Sequence, residues 1–155
     1  MVYNTFLPAS FFEDESKKKP ESTSTKNYEK FDISGYECYL VKMDGTIFGS
    51  GSNYYCGYIK VPTTSVFVGK DYDCLNMGPA RIPIDTEWTY SGVNIPKCPA
   101  AGYGWFFGFD FMHADDVVVT KNEFMSFKSR EHAVAQFEKA VRLMKLNQSY
   151  ADGTL

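Results

Sequence analysis

Apolar and polar positions alternate along several stretches of the chain, which is the mark of β-strands with one buried face. The clearest run is 103–112. Trp105, Phe107, Phe109 and Phe111 fall on one face, and Phe106, Gly108, Asp110 and Met112 on the other. Aromatic residues fit a pleated, half-buried surface, so this run reads as strand rather than helix. Residues 36–43 and 54–61 read as two more strands. Asp44-Gly45 marks a hairpin turn between them, with Thr46 to Phe48 beginning the return. Residues 86–91 give a short strand with Trp88 and Tyr90 on one face. The period changes near the C-terminus. Val134, Phe137, Val141 and Met144 recur at helical spacing, Ala133 and Ala140 broaden the stripe, and Ser129 stands at the N-cap position. The pattern predicts an α+β domain: a mainly antiparallel β-sheet with a C-terminal amphipathic helix packed on one face.

The ends of the chain depart from this pattern. Residues 1–12 are rich in Phe, Val, Leu and Tyr, too apolar for a free tail, whereas 13–30 turn abruptly polar and read as a linker. The expected organisation is an N-terminal arm and linker over 1–30, one globular domain over 31–147 and a frayed tail over 148–155. An apolar arm behind a linker suits exchange between protomers, so a homo-oligomer is expected.

Composition narrows the class of function. A length of 155 residues supports one good core. A net charge of −3 argues against a broad nucleic-acid surface, and the Lys17-Lys18-Lys19 run is bracketed by acids. The four cysteines, Cys38, Cys56, Cys74 and Cys98, form no C-x-x-C, and no stretch is long and apolar enough to span a membrane. Reduced thiols in a cytoplasm are the expectation. No cofactor is expected and no metal-ligand set is assigned.

Chemistry concentrates at 102–116, where one of the two histidines lies among aspartates and aromatics. Asp110 in an aromatic strand needs hydrogen-bond partners, because a carboxylate buried alone is costly. His113, three residues on, can meet it, a pairing that suits acid–base work, metal ligation or polar recognition. The same two residues also fit an ordinary turn cap and a hydrogen-bonded histidine. His132, in the first turn of the helix, reads as a surface or boundary residue.

Four blocks then stand out together: Cys56-Gly57-Tyr58-Ile59-Lys60-Val61-Pro62, Gly69-Lys70-Asp71-Tyr72-Asp73, Thr89-Tyr90-Ser91-Gly92, and Phe107-Gly108-Phe109-Asp110-x-x-His113-Ala114-x-Asp116. In this order they resemble a group of small proteins encoded by bacteriophages and some bacteria, over roughly 54–116. The chain departs from that pattern where Thr64 and Ser65 occupy a region that often carries a histidine. It departs again where Asp85 replaces a histidine ahead of the T-Y block. The resemblance implies a phage-associated setting in a bacterial host cytoplasm and no particular activity.

Three functions follow as expectations. The first is a small-molecule binder that sequesters a nucleotide-derived immune signal. Tyr58, Tyr90 and Trp105 would stack on a base, Lys70 and Arg81 would neutralise phosphate, and Tyr72, Asp110, His113 and Asp116 would complete the set. The second is a small hydrolase using Asp110, His113 and Asp116. The third is a protein-binding inhibitor or structural phage protein, to which the apolar arm and the aromatic excess would contribute.

Overall fold

The computed structural model describes residues 27–44, 53–111, 117–120, 123–126 and 129–153. The arm over 1–12, most of the linker, Met112, His113, Asp115 and Asp116 lie outside the described residues. The chain forms β1 (Tyr28–Ile33), β2 (Tyr36–Asp44), β3 (Asn53–Val61), the short helix α1 (Asp73–Asn76), β4 (Trp88–Gly92) and β5 (Trp105–Asp110). The hairpin β6 (Val117–Thr120) and β7 (Glu123–Ser126) follows, and then the long helix α2 (Arg130–Asp152). Strands β1 to β5 make one five-stranded antiparallel sheet in the order β1-β2-β3-β5-β4. The α+β architecture read from periodicity is the one observed.

Helix α2 covers one face. Its apolar stripe buries Ala133, Phe137, Ala140, Val141 and Met144 against Leu40, Ile59, Phe107, Phe109 and Phe111. Ser129 caps the helix by accepting the His132 backbone N–H. At the same end the Arg130 guanidinium grips both Glu29 carboxylate oxygens, at 2.7 and 2.6 Å, and so ties the helix to β1. Residues 148–152, expected in a frayed tail, are the last turns of α2. Gly153, at φ 71°, closes the helix by donating to Ser149 and Tyr150. Residues 28–30, assigned to the linker by composition, belong to β1. The opposite face carries a smaller core in which Ile95, Cys98 and Ala101 cover Tyr39, Val41 and Phe106.

Two adjacent pairs between β3 and β5 set how closely the layers pack. Gly57 opposes Phe109 and Tyr58 opposes Gly108, so each glycine lies under an aromatic ring, on opposite faces of the sheet. A Cβ on Gly57 would come within 2.3 Å of Phe109 Cζ, and Phe109 is itself packed against Trp88, Phe111 and Phe137. The ring has nowhere to retreat. Gly57→Ala is therefore expected to cost about 1–3 kcal/mol by overpacking. Urea denaturation checks this, and an unchanged midpoint would mean that Phe109 repacks freely.

The turn read at Asp44-Gly45 and its return over Thr46 to Phe48 run into 45–52, outside the described residues; β2 and β3 pair directly, Met43 with Tyr54 and Asp44 with Asn53. One expectation about strand detail does not hold. Trp88 and Tyr90 lie on opposite faces. Trp88 pairs with Phe109 while Tyr90 pairs with Gly108, leaving Thr89 as an extra residue that reverses the alternation.

Candidate functional site

The β4 bulge, which throws Tyr90 onto the face away from α2, gathers a polar cluster there. Asp110, at the end of β5, lies beside Cys56 on β3 and close to Thr89, whose hydroxyl donates to Asp110 Oδ2 at 3.3 Å. Thr86 donates to the Asp110 carbonyl at 3.2 Å, so the loop entering β4 is fastened to the same residue. Tyr58 lies over Gly108 and meets the Tyr90 ring edge-on, with centroids 5.7 Å apart. The Tyr90 hydroxyl donates to the Asn94 carbonyl, and Tyr58 hydrogen-bonds to Cys56. Tyr54 is buried nearby, close enough for the Asp110 charge to act on its hydroxyl. The result is one half-buried carboxylate among hydroxyls and a thiol.

Electrostatics decides what this cluster can do. Burial, reinforced by the Asp110 carboxylate, pushes the Cys56 thiol up to about 12, although its hydrogen bond to Tyr58 pulls the other way. Burial likewise raises Tyr58, with further contributions from Cys56, Asp110 and Tyr90. Both groups therefore keep their protons at neutral pH. Burial leads the upward shift of Cys38, Cys74 and Cys98 as well, so no cysteine is poised as a thiolate nucleophile. The cluster can donate and accept hydrogen bonds, but it offers no activated attacking group among the described residues.

The other residues singled out in the sequence stand elsewhere. Trp105 is on the α2 side of the sheet. Its ring packs on Phe107 and its indole N–H donates to the Lys70 carbonyl at 3.0 Å. Lys70 is exposed on that side, and Tyr72 is anchored nearby by its backbone N–H on Ser91 Oγ. Arg81 is exposed and donates to the Gly78 carbonyl. The expected single site is thus divided. Tyr58, Tyr90 and Asp110 come together, but Trp105 lies across the sheet from them, so the three aromatics do not converge on one base. Tyr58 and Tyr90 also spend their rings on each other and on Gly108, which corrects their reading as an open stacking platform. His113 and Asp116 lie outside the described residues. Among the described residues no three His, Cys, Asp or Glu side chains converge on a common point.

Sequence reasoning passed over one grouping. His132 Nε2 lies 3.3 Å from Asp85 Oδ2, off the line of a hydrogen bond, and the pair is ionic when the ring is protonated. The His132 ring meets the edge of Phe111, and Gln136 accepts the Asp85 backbone N–H at 2.9 Å. The pairing itself spans loop and helix and has no sequence pattern.

Comparison with protein-family models, with curated proteins and with solved structures finds no match to this chain. Among the described residues no helix is long and apolar enough to cross a membrane.

Proposed function

We propose that the chain binds a small, hydroxyl- or amine-bearing ligand through the Asp110 cluster and holds it without chemical change. The observation that carries this is the half-buried Asp110 carboxylate, set among the hydroxyls of Thr89, Tyr54 and Tyr58 beside a protonated Cys56. A carboxylate accepts hydrogen bonds only, so it selects donors such as an exocyclic amine, a ribose hydroxyl or an ammonium group. Lys60, on the same face, is engaged by the Ala101 carbonyl and lies close to Glu37, so it adds little free positive charge. This favours recognition of the base-and-sugar end of a nucleotide over its phosphates. The phage-like blocks support a setting in which that ligand is a nucleotide-derived immune signal removed from circulation by binding.

The test uses the full chain and its Asp110→Asn variant. Each is incubated with pooled nucleotides and with cyclic and ADP-ribose-type signals, washed and heated, and the eluate is analysed by mass spectrometry. Wild type is expected to release one unchanged compound. The variant should bind it on the order of ten- to a hundredfold more weakly, as for loss of hydrogen bonds to a charged acceptor. A chemically altered product would transfer support to the hydrolase reading. An empty eluate from wild type would reject nucleotide sequestration.

A further inference from the structure

The side of the domain that carries α2 also carries a groove of about 380 Å³, on the opposite side of the sheet from Asp110. Phe67, buried and edge-on to Phe107, forms its floor. Val66, Met77 and Ala80 border it on one side and Ala151, from the last turn of α2, on the other. Gln148 Oε1 accepts the Val66 backbone N–H at 2.9 Å, which holds the groove open between the two elements. Apolar surface is left to solvent here. Val66 is 37% exposed and Met77 72%.

One lysine lines this groove and no carboxylate does. Lys70 is exposed, and among the described residues its ammonium has no ion-pair or hydrogen-bond partner. Asp71 and Asp73 follow it in sequence, but Asp71 Oδ2 is turned to the Asp73 N–H, and Asp73 lines the neighbouring hollow with Asn76 and Glu87. An apolar trough with a single unpaired cation is complementary to a ligand with a hydrocarbon body and one negative charge.

The geometry points to a second binding site, for an aliphatic carboxylate of about ten carbons, its chain along Val66, Phe67, Met77 and Ala80 and its head group on Lys70. This does not depend on the nucleotide reading, because the groove shares no residue with the Asp110 cluster.

Cys74 supplies the readout. It lines the groove, and it is the one cysteine of the four that is not buried. Iodoacetamide labelling of the full chain, followed by peptide mass spectrometry, gives the rate at Cys74. Sodium decanoate below its micellar concentration is expected to slow that rate in a saturable way. Removing each methylene should raise the half-protecting concentration by up to about fourfold. Decylamine at the same concentration should protect at least roughly tenfold less, because its charge opposes Lys70. Lys70→Met should abolish the preference for the carboxylate, and Met77→Asp, at an exposed position, should abolish protection itself. Equal protection by decylamine, or protection by decanoate unchanged in Lys70→Met, would overturn the proposal. So would a Cys74 that fails to label in the ligand-free protein even at alkaline pH, where a raised thiol ionises, since the groove would then already be covered by the chain or by a second copy.

Discussion

Trp88→Ala is expected to lower stability by about 3–5 kcal/mol, the range for removing a fully buried aromatic side chain. Trp88 is 1% exposed, and its ring meets Phe107 and Phe109 edge-on, with centroids 6.3 and 5.5 Å away. Truncation opens a cavity at the contact between β4 and the core under α2. It also strands the Ile82 carbonyl, which accepts the indole N–H at 2.8 Å. The surroundings resist collapse, because the Asn76 side chain holds both the N–H and the carbonyl of residue 88. Trp105 is the instructive contrast. Its place in the central aromatic run suggests a core anchor of equal weight, yet it is only half-buried at the rim. Trp105→Ala should therefore cost less, about 1–2 kcal/mol. Urea denaturation followed by far-UV circular dichroism separates the two. A Trp88→Ala loss no larger than that of Trp105→Ala would show that the 82–88 loop refills the space.

Strands and helix were legible because burial on one face imposes a period on the sequence. Trp105, Phe107, Phe109 and Phe111 alternate with Phe106, Gly108 and Asp110; the first set packs in the core under α2, while Phe106 enters the smaller core on the other face. What has no period could not be read in the same way. Ile95, Cys98 and Ala101 cover the second face from a segment broken by prolines, where nothing marks those three side chains as neighbours. The Thr89 bulge adds one residue to β4 and moves Tyr90 across the sheet, a change that composition does not announce. The Ser34-Gly35 turn was missed although it joins β1 to β2 directly. Both residues have positive φ, at 51° and 88°, the geometry that fits a tight hairpin, but serine seldom adopts it. Within the candidate site, Asp110 was legible as a carboxylate that an aromatic strand must satisfy. The separation of Lys70 and Trp105 from it was not, because these two meet through a backbone carbonyl that any residue carries.

The thiols are expected to make stability fall on the alkaline side. Burial, with the charge of Asp32 added for one and of Asp110 for the other, pushes Cys38 and Cys56 from 9.0 up to about 12. A folded-state pKa above the unfolded value means that the native protein keeps a proton which the unfolded chain gives up. The contribution is complete below about pH 9 and is lost as the pH rises towards about 12, amounting to roughly 4 kcal/mol per thiol at its limit. The midpoint of thermal unfolding should therefore drop through this window, with the raised tyrosines adding to the fall at its upper end. Cys38→Ala and Cys56→Ala should each start lower at neutral pH and then decline less steeply. Parallel alkaline limbs in wild type and both variants would show that the thiols titrate alike in the folded and unfolded states. The same physics bears on function, because a thiol beside Asp110 that keeps its proton cannot attack a bound ligand. Native Cys56 should resist iodoacetamide at about pH 7.5. Alkylation at the rate of a free thiol would restore a nucleophile to the cluster and favour hydrolysis over sequestration.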